Sequence, residues 1–157
     1  MSEACYELAT YADSLDAHFA VETGPEPAAR LAAFLDGLNS TGVAVNMDPA
    51  NLTMVTGDDP VQAVYTLKKY IVHTHAKDGK MLKPTDTTVL YDGIEHAIRE
   101  GTAFIELPLG QGDVDWDNYL KALNDIGYKG FLTIEREVGE NPEADIRRAV
   151  NFLKEKI

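Results

Sequence analysis

Apolar and polar positions along the chain switch between two periods, and each switch marks a step from strand to helix. Residues 3–15, EACYELATYADSL, place Ala4, Leu8, Tyr11, Ala12 and Leu15 at helical spacing, which predicts an opening helix with those residues inward. AHFAVE at 17–22 reads as a buried strand ending at Glu22. Thr23-Gly24-Pro25-Glu26-Pro27 then breaks the chain before the helical run AARLAAFLDGL at 28–38. The unit repeats: GVAVNM at 42–47 reads as a second strand, with Asp48-Pro49-Ala50-Asn51-Leu52 as its loop. Asp59 and Pro60 supply an N-cap and a first-turn proline for the helix PVQAVYTLKKY at 60–70. IVHTHAKD at 71–78 is the third strand.

After Asp78 the rhythm breaks. Residues 79–112 are rich in glycine, threonine, proline and charge, with an amphipathic piece at 91–100 and a short apolar run, FIELPL, at 104–109. An excursion this long in a compact domain is more often a functional cover than slack. Regularity returns where Asp115 can cap a helix carrying Tyr119, Leu120, Leu123 and Ile126, closed by Gly127. KGFLTIE at 129–135 reads as a fourth strand. Asn141 and Pro142 open a last helix with Ile146, Ala149, Val150 and Leu153 on one face.

Every apolar run ends in a polar residue, and the spacing of those residues decides the architecture. Glu22 to Asp48 is 26 residues, Asp48 to His75 is 27, and His75 to Glu135 is 60. An eight-unit βα barrel of about 250 residues spends about 31 on each unit, so the first two gaps each hold one unit and the third holds one unit plus the excursion. The expected fold is therefore α/β, a single domain over residues 1–157 with four parallel strands each followed by a helix. That is half of a (β/α)8 barrel, with its polar strand ends on the active-site face. A flat doubly wound sheet is the competing arrangement, but no glycine-rich phosphate loop follows the first strand.

Composition narrows the partners. The 157 residues carry 26 acidic and 14 basic side chains, a formal net charge of -12, which repels a phosphate backbone and argues against nucleic acid. No apolar run is long enough to span a bilayer, nothing resembles a signal peptide, and the single cysteine, Cys5, excludes an internal disulfide. No membrane partner and a cytoplasmic location are the resulting expectations.

Glu22, Asp48, His75 and Glu135 form a one-histidine, three-carboxylate set, which suits a divalent ion that takes oxygen and imidazole ligands. Period 2 puts His73 on the same face as His75 but deeper, so His75 is the expected ligand and His73 a supporting or substrate contact. Asn51 offers a second polar group to the same pocket, although Asp48 can also be read as a loop cap. Lys77 and Asp78 are candidate substrate contacts or members of a solvated loop. Glu137 competes with Glu135 by period, Trp116 reads as helix packing, and His18 and His96 read as structural. Gly110 and Gly112 fit either a close approach to substrate or a plain turn.

The motifs VETG, NMDPANL, HTHAKD, LGQGDVDW, GYKGFLTIEREVG and DIRRAVNFL together resemble the C-terminal half of the sugar phosphate isomerase/epimerase family, the xylose isomerase-like TIM barrels. The resemblance implies one divalent metal, Mn, Co, Zn or Mg, held by Glu22, Asp48, His75 and Glu135. It also implies a small sugar or polyol substrate and proton transfer through an enediolate with Glu22 and Glu135 as the two carboxylates. Members normally carry about four more βα units ahead of the first strand, so a homodimer that closes the barrel by pairing is expected, or a half-barrel that binds metal without turnover. An endonuclease IV-like phosphodiesterase is the lesser alternative, since its multinuclear zinc site needs more histidines than the four present.

Overall fold

The apolar runs become strands in a computed structural model that describes residues 2–84, 86–87 and 103–157. Among these residues the strands are β1 (Phe19–Glu22), β2 (Val43–Met47), β3 (Ile71–Ala76), β4 (Asp78–Met81), β5 (Phe104–Leu107) and β6 (Leu132–Ile134). The helices are α1 (Ser2–Ser14), α2 (Ala28–Leu38), α3 (Pro49–Asn51) running into a π-helical turn (Leu52–Thr56), α4 (Pro60–Leu67), α5 (Trp116–Asp125) and α6 (Pro142–Lys156). The caps expected from sequence form. Asp59, Asp115 and Asn141 each accept from backbone N–H groups of the helix that follows.

β1, β2, β3 and β6 make one parallel sheet in that order. The order follows the chain without reversing, and parallel crossovers are right-handed, so the connecting helices fall on one face. α2 packs on α4 and α4 on α5 across that face. A doubly wound sheet needs a reversal of strand order, and these strands have none. Val43, Val45, Met47 and Ala76 point into a core with Leu31, Leu35, Val64, Leu67, Tyr119 and Leu123. Thr74 sits in the same layer, its hydroxyl 2.8 Å from the Met47 carbonyl and 2.6 Å from the Tyr119 hydroxyl. Period 2 then turns Asn46, Asp48, His73 and His75 to the opposite face.

Three element expectations are corrected. The α1 face expected from Ala4, Leu8, Tyr11, Ala12 and Leu15 is not the one buried: Ala9 is buried, with Cys5 partly so, while Leu8, Tyr11 and Leu15 are exposed. The helix lies so close to the sheet that a Cβ on Gly42 would come 1.9 Å from the Ala9 carbonyl oxygen, so only its stripe of small side chains fits there. β3 stops at Ala76, not Asp78, because the chain turns at Lys77 into an antiparallel hairpin of β4 and β5. β6 is confined to Leu132–Ile134, the stretch opposite Thr74–Ala76, with one further bond from the Glu135 amide to the Ala76 carbonyl at 3.2 Å.

That hairpin is the described part of the excursion; its amphipathic piece at 91–100, with His96, lies outside the described residues. Among the described residues no helix is long and apolar enough to cross a membrane.

Candidate metal centre

The four strand ends meet. Glu22 closes β1, Asp48 follows β2, His75 lies in the last turn of pleat of β3, and Glu135 follows β6. One ligand atom from each lies within 4.8 Å of the other three. His75 Nδ1 is 3.4 Å from Glu22 Oε1, 3.3 Å from Asp48 Oδ2 and 3.3 Å from Glu135 Oε2. Bonds of about 2.1 Å give a coordination octahedron edges of about 3.0 Å and a tetrahedron edges of about 3.4 Å, so these separations fit a divalent ion.

Each of the four residues is held by its own local structure. Asp48 is 0% exposed and divides its oxygens: Oδ1 accepts from the Asn51 amide at 2.8 Å as the cap of α3, and Oδ2 faces His75. The cap reading of Asp48 is therefore seen directly, and it leaves Oδ2 facing the cluster. Thr23, buried behind it, accepts from the Asp48 amide at 2.7 Å and donates to the Asp48 carbonyl at 2.8 Å, which clamps the two loops together. Asn51 reaches back with Nδ2 to Glu22 Oε1 and the Thr23 carbonyl, each at 3.1 Å.

Three carboxylates face one imidazole in the cluster. Burial pushes the Asp48 carboxyl up, against the hydrogen bond from His75 that lowers it. His75 is pushed up to about 10, first by its hydrogen bonds to Asp48 and Glu22 and then by the charge of Glu135. At neutral pH the metal-free imidazole carries a proton at Nδ1, the place a cation would take. The ring's other nitrogen, Nε2, lies 3.1 Å from Asn46 Nδ2, and the His73 ring stands edge-on to it with centroids 6.0 Å apart.

Lys77 sits beside the cluster rather than in solvent. Only 4% exposed, its Nζ donates to Glu135 Oε2 at 2.9 Å and to Glu137 Oε2 at 2.6 Å, with Glu106 Oε2 at 3.9 Å. Burial alone would lower its pKa, but the bonds to Glu137 and Glu135 outweigh that and hold it above the ordinary lysine value. Glu106 continues the chain of charges, accepting from Arg136 Nη1 at 2.6 Å, and Arg136 Nε donates to Asp145 Oδ2 at 3.1 Å. Glu135 joins the cluster, and Glu137 stays outside on Lys77.

Asp78 does different work from the substrate contact expected of it. It is 1% exposed, and its two oxygens accept from the amides of Gly79, Gly110 and Val114 and from Trp116 Nε1, at 2.9, 2.9, 3.3 and 3.0 Å. Four N–H donors leave it nothing to offer a ligand, so it ties the hairpin to the loop before α5. The close approach expected of Gly112 is real, but it is made to Asp78: a Cβ there would lie 1.9 Å from Asp78 Oδ1. Trp116 is buried as helix packing, edge-on to Tyr119 and Phe152.

Sequence reading missed Thr23, Asn46, Glu106 and Arg136. Thr23 and Asn46 carried a signal, since one follows Glu22 directly and the other shares the Asp48 face of β2 at i−2. Glu106 and Arg136 carried none, because the hairpin and the segment after β6, 30 residues apart, bring them together.

Known proteins supply the family of the chain. The xylose isomerase-like TIM barrel family matches residues 1–156. An inosose dehydratase of Clostridium perfringens is 30% identical over 107 residues, covering 64% of this chain and 34% of the dehydratase. A xylose isomerase domain protein from Planctomyces limnophilus superposes with a TM-score of 0.79 at 29% identity, over 98% of this chain and 51% of its own. A xylose isomerase-like TIM barrel protein from Mycobacterium smegmatis, solved in complex with magnesium, has the same fold with a TM-score of 0.70 at 17% identity, over 98% and 48%. This chain thus spans about a third of that dehydratase and about half of those structures. On the match over residues 1–156, the chain belongs to the xylose isomerase-like TIM barrel family.

Proposed function

We propose that this chain carries the metal centre of a sugar or polyol isomerase, epimerase or dehydratase whose first step removes a proton from carbon beside a carbonyl. The observation that carries the reading is the gathering of Glu22, Asp48, His75 and Glu135 within 4.8 Å of one another. Three carboxylates and one imidazole suit Mn, Co, Mg or Zn. When bound, such an ion supplies Lewis acidity toward a carbonyl and its neighbouring hydroxyl oxygen.

The residues divide the rest. Asp48 and His75 hold the centre, Asp48 from a capped and fully buried position. Glu22 and Glu135 approach from β1 and β6, the two outer strands of the sheet. One can take the proton from carbon and the other return it from the far side, which inverts the centre. The same proton removal followed by loss of a neighbouring hydroxyl is a dehydration, the reaction named in the Clostridium perfringens relative. Lys77 orients Glu135 through their 2.9 Å bond, and Asn51 and His73 are the polar neighbours that position substrate.

Solvent exchange tests this reading. With Mn2+ in D2O, a ketohexose or an inosose should gain deuterium at the carbon beside its carbonyl, and Glu22→Gln should abolish the gain. Exchange that is indifferent to metal and to Glu22 would contradict it.

A second reading, metal binding without turnover, is favoured by a sheet of four parallel strands among the described residues, with β1 and β6 at its two edges. It predicts metal uptake and no exchange. Two copies closing one barrel would add the remaining strands, and sedimentation of the metal-loaded chain reads that out.

A further inference from the structure

The His75 ring has one nitrogen in the cluster and the other against Asn46. Nδ1 lies 3.3 to 3.4 Å from the three carboxylate oxygens, and Nε2 lies 3.1 Å from Asn46 Nδ2. An imidazole nitrogen ligates through its lone pair, so a neutral ring facing the cluster with Nδ1 must carry its proton on Nε2. An Nε2–H would then meet the amide NH2 of Asn46, donor against donor. Separately, Asn46 Oδ1 is, among the described residues, the buried side-chain polar atom with no hydrogen-bond partner. Turning the amide by 180° about its Cβ–Cγ bond leaves its outline unchanged and exchanges oxygen for nitrogen. That one change removes the facing donors and brings Oδ1 onto Nε2–H.

We infer that Asn46 is a positioning residue for His75: its amide oxygen accepts the Nε2–H and so keeps Nδ1 turned into the cluster with its lone pair available to a metal. The inference rests on the reading of His75 as a ligand. It also explains why a polar residue occupies this position in β2, between Val45 and Met47, which face the core. A neutral acceptor holds the ring without adding a fourth negative charge to three carboxylates. A hydrocarbon side chain would leave the Nε2–H without a partner at a part-buried site.

The test uses the full chain, 15N-labelled, with Zn2+ as the diamagnetic probe, and compares wild type with Asn46→Leu and Asn46→Asp. Imidazole 15N shifts should show a protonated Nε2 on His75, metal-free and Zn2+-loaded alike, with a proton that exchanges slowly. In Asn46→Leu that proton should exchange faster, and Zn2+ should bind about 10- to 100-fold more weakly, the usual loss for a group that orients a metal-bound histidine. Asn46→Asp, which keeps an acceptor, should restore slow exchange, an effect that a packing role alone does not give. An unprotonated Nε2 in the metal-free wild type, or unchanged exchange in Asn46→Leu, would overturn the inference. If wild type takes up no Zn2+, the metal reading fails by itself, and the exchange of the Nε2 proton in the metal-free wild type, Asn46→Leu and Asn46→Asp still decides for or against Asn46.

Discussion

Asp48 and Asp78 are both withdrawn from water, at 0% and 1% exposure, yet their surroundings are opposite. Asp78 accepts from four N–H donors and meets no other carboxylate among its hydrogen-bond partners. Asp48 has one backbone donor, one imidazole, and Glu22 and Glu135 gathered about the same point. A buried carboxylate saturated by N–H groups is finished and holds structure. One left short of donors among its own kind is stabilised only by a proton or a metal cation. The difference separates an anchor from a candidate site although both residues end apolar stretches of the sequence.

Substitution should pull the two apart. The largest effect expected is on stability in Asp78→Asn, which replaces a charge shared by four donors with an amide that clashes with some of them. Chemical denaturation should show a loss of about 3 to 5 kcal/mol, with metal affinity of the folded protein retained. Asp48→Asn should do the reverse. Metal affinity measured by calorimetry falls about 100-fold or more, about 2.7 kcal/mol or above, while stability of the metal-free chain holds or rises because a buried charge is gone. A smaller loss of affinity, about tenfold, is expected for Glu22→Gln, whose side chain is 42% exposed and screened by water.

The pH dependence follows from His75. Its folded pKa of about 10 lies above the ordinary 6.5, so in the metal-free chain its contribution to stability is fully present below about pH 6.5 and is lost as pH rises toward about 10. A metal must displace that proton. Affinity for Mn2+ should therefore rise with pH by up to about tenfold per unit between those values, with release of about one proton on binding, read by calorimetry in buffers of different ionisation enthalpy. Affinity that is flat across this range would remove His75 from the centre.

The contrast also explains what could be read from the chain. Four strand ends spaced at 26, 27 and 60 residues gave the sheet, its order and the residues that meet, because each side chain's placement follows from period 2 along its own strand. Asp78 escaped that logic. It lies one residue beyond a turn that the sequence does not mark, and three of its four donors come from Gly110, Val114 and Trp116, more than 30 residues on. The same holds for the buried face of α1, which was set by the approach of Gly42 and not by which residues are most apolar. Lys77 was open to reading as a substrate contact or as part of a solvated loop for the same reason: its partners Glu106 and Glu137 belong to other segments. Local period is legible in one sequence, and long-range satisfaction of polar groups is not.

Titration of metal-free wild type, Asp48→Asn and Asp78→Asn with Mn2+, at pH 7.5 and under conditions where all three are folded by circular dichroism, bears most directly on the site. Wild type and Asp78→Asn should each bind one equivalent per chain with like affinity, and Asp48→Asn should bind none in the same range. Equal binding by all three, or a loss confined to Asp78→Asn, would mean that the four gathered residues are not a metal centre.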